Sequence, residues 1–216
     1  MPKVNDREYR TMVMDVVRDD EQADEETMKV SGYASTFNDP YILYEDENVI
    51  YREQVSDKAF DETDMSDVIM QYDHEGRVFA RISNDTLRIK PDEKGLFIEA
   101  DLGGTELGRG LYEEIRGGYT NKMSFGFTVN QDEEEKSKSE DGRVEILRTI
   151  TGISKLYDVS AVSLPANDGT SIGVSTRSQI NGAIDAIRAE RLEAERIDLE
   201  RRRTEVRAKA LLGGKH

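Results

Sequence analysis

The chain has no cysteine, no tryptophan, four prolines and two histidines. Without cysteine there is no disulfide framework, no thiolate nucleophile and no cysteine-based metal site. His216 closes the sequence, so His74 is the one internal imidazole. A single internal histidine makes a zinc site improbable, no EF-hand loop is present, and neither metal nor cofactor is expected. Gly103-Gly104 and Gly108-x-Gly110 lack the Lys-Ser/Thr of a phosphate loop. Carboxylates abound, but the lack of tryptophan platforms speaks against sugar binding and glycoside hydrolysis. No run approaches the roughly 18 apolar residues of a membrane span. Met1 to Arg10 is polar and has no signal-peptide core. A cytoplasmic, non-secreted protein without a membrane partner is expected.

What is abundant is charge. Charged residues make up 35% of the 216, nearly matching the 36% that are hydrophobic, so one core with solvated extensions is expected. The formal charge of -15 argues against nucleic acid, which needs a basic face. From Ser178 to His216 there are 9 Lys+Arg against 7 Asp+Glu, while the rest carries 21 against 38. An acidic head and a weakly basic tail suggest two parts with different roles.

Met12 to Val17 is β-prone and Asp19 to Glu26 is an acidic connection. Lys29 to Phe37 alternates as a strand with Val30, Gly32, Ala34 and Thr36 on one side. Tyr41 to Val55 reads as a loop with a short strand. Ser56 opens a short helix to Thr63. Val68 to Tyr72 is a buried strand ending at Asp73-His74-Glu75-Gly76. Leu87 to Lys90 and Leu96 to Leu102 form a hairpin. Thr105 to Arg116 is a helix with Leu107, Leu111 and Ile115 in its apolar stripe, stopped by Gly117-Gly118. Met123 to Val129 is a strand. Gln131 to Gly142 is polar and reads as a flexible loop. Val144 to Ile150 and Tyr157 to Leu164 are two further strands. Ile180 to Leu212 is a long charged helix with a thin stripe of Ile180, Ala183, Ile187, Ala194 and Ile197. The order of elements predicts a mainly β fold with helices (α+β), an antiparallel β-barrel or sandwich decorated by helices, plus the charged C-terminal helix.

Chemistry near neutral pH that needs an imidazole must use His74. A serine nucleophile needs such a base, and the base needs an orienting group. On a strand, Met123, Phe125 and Phe127 point into a core, while Ser124, Gly126 and Thr128 point the other way. Gly126 then leaves room for a substrate beside Ser124. Asp158 opens an otherwise neutral strand; buried without a partner it is costly, and bonding to His74 explains it. The plainer alternatives are a turn histidine, a serine on the wet face of a half-buried strand and a strand-end aspartate.

Six segments in order are similar to a known family: Ser31 to Phe37, Lys58-Ala59-Phe60, Gln71 to His74, Gly95 to Ala100, Met123 to Phe127 and Asp158 to Ala166. Together they resemble the prohead (capsid maturation) proteases of HK97-type tailed phages, distantly similar to herpesvirus assembly proteases. The resemblance implies an antiparallel β-barrel surrounded by helices and a serine endopeptidase with His74 and Ser124 in the family's histidine and serine positions. The herpesvirus relatives use a second histidine, which this chain lacks internally, so Asp158 becomes the candidate third member. The turn Pro165 to Gly169 becomes a candidate oxyanion donor. The resemblance further implies that the enzyme acts in the host cytoplasm inside the assembling prohead. Its expected partners are the scaffolding region of the major capsid protein and the chain itself as substrates, and a second copy in a homodimer. The expected division is a flexible N-terminus over 1–11, a protease domain over 12–175 and a helical extension over 176–216. The competing readings are a non-enzymatic scaffold or assembly protein binding capsid subunits through the charged helix, and a serine hydrolase of another class such as an esterase.

Overall fold

The computed structural model describes residues 7–12, 28–163 and 174–213. Ten strands are found among these residues: β1 (Glu8–Met12), β2 (Lys29–Thr36), β3 (Tyr41–Glu45), β4 (Val49–Val55), β5 (Ile69–Tyr72), β6 (Glu75–Arg81), β7 (Leu87–Pro91), β8 (Gly95–Asp101), β9 (Lys122–Lys138) and β10 (Val144–Val162). Two helices join them, α1 (Glu106–Arg116) and α2 (Val174–Gly213). The fold is therefore α+β with a long C-terminal helix.

Among the described residues the expected antiparallel barrel does not close. The strands form two sheets, one ordered β1-β9-β10-β4-β3 with β5 and β6 attached through β10, the other ordered β2-β8-β7. The reason lies in β10, which is 19 residues long and serves two neighbours in turn. Its first half, Val144 to Ile150, pairs with β4, and its last part, Asp158 to Ala161, pairs with β5; both pairings are parallel. Its other edge pairs antiparallel with β9 throughout, with register shifts from Ile150 to Asp158 that bend the ribbon. The second sheet lies on the first through alternating apolar residues. Val30, Ala34, Leu96, Ile98 and Ala100 share one core with Met70, Phe125, Phe127 and Val159.

Local differences from expectation have local causes. Gln131 to Gly142 is mostly strand, because the backbone of Asp132 to Lys138 pairs with Ile150 to Val144. Its exposed acids hide any alternation, but main-chain bonding does not need it. The reversal occupies Ser139 to Arg143 and turns at Gly142, whose φ of 86° suits glycine. Val144 to Ile150 and Tyr157 onward belong to one strand. Tyr41 to Val55 contains two strands, paired as a hairpin. Ser56 to Thr63 forms successive turns in place of a helix, and the Ser56 hydroxyl still accepts from Lys58 N at 3.3 Å. Residues 8–11, expected in a flexible N-terminus, belong to β1. Val13 to Val17, the acidic connection and the Pro165 to Gly169 turn lie outside the described residues.

In α1, Thr105 caps the start by accepting from Gly108 N at 2.9 Å. Leu111 and Ile115 are buried, but Leu107 is half exposed. Gly108 takes its place on the inner face, where a Cβ would lie 2.2 Å from the Leu102 carbonyl oxygen. Helix α2 docks through Ile184 and Ile187 onto Val49, Tyr51 and Ile146. Arg188 donates to Asp46 at 3.0 Å and Arg191 to Asn48. Residues 188–205 are exposed and are laced by pairs such as Arg196–Glu200 and Arg201–Glu205. Ile197, expected in the stripe, is among them.

Candidate active site

Two neighbouring strands and the turn that follows a third carry the three candidate residues. Ser124 lies on β9 directly opposite Ser160 of β10, and Gly126 lies opposite Asp158. Ser124 and Asp158 are thus two residues apart across the ladder and share one face of the sheet. On the other side of β10, β5 runs parallel, with Ile69 beside Asp158 and Tyr72 beside Ala161. The chain then reverses between Tyr72 and Glu75, which pair with each other. The two-residue connection is Asp73-His74, with φ of 48° and 60°. Positive φ at both central positions is the signature of a type I′ hairpin, uncommon for residues other than Asn, Asp and Gly. Asp73 fastens this turn, accepting from the Ser163 backbone N and hydroxyl, each at 2.9 Å. His74 is held at the tip, aimed back along β10.

The structure brings Ser124, His74 and Asp158 into one chain of contacts. His74 Nδ1 is 2.5 Å from Asp158 Oδ1, and His74 Nε2 is 2.5 Å from Ser124 Oγ. With Nδ1–H donating to the carboxylate, Nε2 is left as an acceptor facing the serine hydroxyl. Ser160 also donates to Asp158 Oδ1 at 3.0 Å. The other carboxylate oxygen, Oδ2, accepts no hydrogen bond from the described residues and lies 3.7 Å from Arg7 Nη1. Ser124 and Asp158 are fully buried, while 16% of the His74 side chain is exposed. Gly126 has a different role from the one expected. A Cβ there would lie 2.4 Å from Asp158 Oδ2 and 2.8 Å from Tyr9 Cε1, so the missing side chain makes room for the carboxylate and for β1.

Strand β1 covers this arrangement, a feature sequence reasoning missed. It pairs antiparallel with β9, placing Thr11 opposite Ser124 and Arg10 opposite Phe125. The Tyr9 ring packs on the His74 ring with centroids 4.3 Å apart. The Arg10 carbonyl oxygen is 2.9 Å from Ser124 Oγ, so the one serine proton has two acceptors within reach. Side chains on the opposite face of β1 enter a second buried cluster. Arg10 donates through Nε to Glu53 Oε1 at 2.5 Å and through Nη2 to Glu53 Oε2 at 2.9 Å. It also donates to Glu8 at 2.5 Å. Arg148 reaches Glu53 at 2.7 Å and Asp132 at 2.5 Å, and Tyr41 donates to Glu53 at 2.5 Å.

Charges in this second cluster stabilise one another against burial. Desolvation opposes the Arg10 charge, but Glu53 outweighs it and lifts the guanidinium pKa well above its ordinary value. Desolvation opposes the Glu53 charge too, and Arg10 followed by Arg148 overcomes it, holding the carboxyl below its usual range. Burial, then the Glu53 charge, pushes the Tyr41 phenol far up. These groups stay ionised or neutral in fixed states across the neutral range. Among the described residues no group of three or more His, Asp or Glu side chains is placed to hold a metal ion.

A strand-borne serine beside an imidazole backed by a buried carboxylate has the parts of a nucleophilic hydrolase. The sequence matches the family model of the caudovirus prohead serine proteases over residues 14–183, and the chain belongs to that family. It is thus a serine protease of a capsid-maturation family. No curated protein and no solved structure matches the chain.

Proposed function

We propose that the chain is an endopeptidase that digests the scaffolding region of the phage major capsid protein, and itself, inside the assembling prohead. Ser124 is the nucleophile, His74 its general base and Asp158 the group that orients the imidazole. The observation that carries this reading is the pair of 2.5 Å contacts, Ser124 to His74 and His74 to Asp158.

In this mechanism Ser124 attacks a peptide carbonyl as its proton passes to His74 Nε2. Buried Asp158, bonded to Nδ1, stabilises the imidazolium that forms. The same imidazolium then protonates the leaving amine, and water repeats the sequence on the acyl-enzyme. An aspartate does here what a second histidine does in the herpesvirus enzymes. It does so from β10, the strand between nucleophile and base.

The test is co-expression with the capsid protein and mass spectrometry of the products. Wild type yields capsid-protein fragments, whereas Ser124→Ala leaves the capsid protein whole while retaining the same circular dichroism. Fragmentation that persists in Ser124→Ala ends the assignment of Ser124. Intact full-length chain and capsid protein in mature particles favours the assembly-protein reading instead.

A further inference from the structure

In the folded chain the peptide group held at the Ser124 hydroxyl is the chain's own Arg10–Thr11 bond, because the Arg10 carbonyl oxygen lies 2.9 Å from Oγ. The strand that carries it is added to the edge of β9 by antiparallel pairing, the way an extended peptide docks on a sheet. The Tyr9 ring leans on His74, and the Arg10 side chain, 1% exposed, fills a pocket with a carboxylate at its end. This strand also precedes the residues matched to the family.

We infer that β1 occupies the site as a substrate strand. The enzyme cuts its own Arg10–Thr11 bond, and the emptied site accepts extended peptides with a basic residue where Arg10 now stands. The inference rests on the assignment of Ser124, His74 and Asp158 made above.

Charge in the pocket sets the preference. When residues 1–10 leave, Glu8 and Arg10 depart together. Glu53 and Asp132 remain against Arg148, two carboxylates facing one guanidinium. An incoming Arg or Lys replaces the missing cation. An acidic residue adds a third carboxylate, and an apolar one leaves the buried Glu53 with two of its four hydrogen bonds, those from Arg148 and Tyr41.

The step balances within the chain. The Arg10 carbonyl, whose oxygen accepts from Ser124 Oγ in the resting chain, turns to present its carbon; Oγ bonds to that carbon and its proton moves to His74 Nε2. The C–N bond to Thr11 breaks, and the Thr11 nitrogen takes that proton as a free amine. Water, deprotonated by His74, then hydrolyses the ester, releasing residues 1–10 with a C-terminal carboxylate and restoring Ser124.

The experiment follows purified full-length protein by intact mass and N-terminal sequencing. In parallel the protein is given synthetic peptides of residues 5–16 carrying Arg, Lys or Glu at position 10. The expected result is a new N-terminus at Thr11 in wild type and none in Ser124→Ala. Arg and Lys peptides are cut after position 10, and the Glu peptide is cut slower by on the order of a hundredfold or more in kcat/KM. Cleavage that depends on Ser124 but falls only at other bonds, or equal rates for the three peptides, overturns the inference and leaves the protease assignment standing. Absence of any Ser124-dependent cleavage together with absence of fluorophosphonate labelling at Ser124 overturns both.

Discussion

On one side of β1, Tyr9 packs on a histidine that links a serine to a carboxylate. On the other side, Arg10 and Glu8 enter a cluster with Glu53, Arg148, Asp132 and Tyr41. Both clusters are buried, and both are full of short polar contacts, but they differ in what their protons are free to do. In the first, an imidazole stands between a serine hydroxyl and a carboxylate, so a proton has somewhere to go. In the second, Arg10, Arg148 and Glu53 hold one another's charge against burial. The first has the layout of a relay and the second that of a fastening, and one five-residue strand touches both.

The largest expected effect breaks the relay and spares the fastening. Ser124→Ala should lower peptide hydrolysis by about a million-fold, with a urea midpoint close to wild type. Asp158→Asn should cost about ten-thousandfold in kcat by losing the tautomer that presents Nε2, measured on any cleaved peptide. A nearly unchanged kcat in Asp158→Asn would remove Asp158 from the mechanism.

Glu53→Ala reverses the pattern. It leaves Arg10 and Arg148 buried with Glu8 as the one carboxylate they still share and should cost about 3–5 kcal/mol of unfolding free energy, read by urea denaturation. Protein that remains folded should keep its Ser124 reactivity toward a fluorophosphonate.

Acid sharpens the contrast. The Glu53 carboxyl is held below its ordinary value in the folded chain. Its contribution to stability is therefore fully present above the unfolded value of about 4.3 and is lost as pH falls through the lower folded value. Wild type should lose stability below about pH 4.3 more steeply than Glu53→Gln. Parallel pH profiles for the two proteins would show that Glu53 does not carry this dependence.

The smallest effect is expected at Arg7. Its guanidinium lies 3.7 Å from Asp158 Oδ2 without a hydrogen bond and is a quarter exposed. Arg7→Ala should change kcat by less than about tenfold.

Much of this was legible in the sequence where a local rule applied. Thr105 and Gly117-Gly118 mark the ends of α1, and the alternation of Leu96, Ile98, Ala100 marks β8. Scarcity singled out His74, while Ser124 and Asp158 needed the family resemblance to be chosen over other serines and acids. What stayed hidden depends on distant pairing. The β9–β10 ribbon is held by main-chain bonds under exposed acids, so no apolar period announces it. Asp73-His74 lacks the Asn-Gly of a typical two-residue hairpin, and its conformation is enforced by Ser163. Arg10, Glu53 and Arg148 meet across 43 and 95 residues of chain. No spacing pattern announces such a cluster. The barrel expectation failed for a similar reason, since it requires knowing that one 19-residue strand takes two parallel partners.

Helix α2 bears on the order of any self-processing reaction. At about 1.5 Å per residue its 40 residues extend roughly 60 Å. It leaves the body after Arg191, and its exposed part is stiffened by its own ion pairs. A rigid rod cannot bend back to lay its far end in the site of the same molecule. Cuts near the C-terminus therefore require two molecules and should proceed at a rate that rises with enzyme concentration. A cut in β1 needs one molecule and should not. Crowding copies of the chain into a small volume would accelerate the first kind of event and leave the second unchanged.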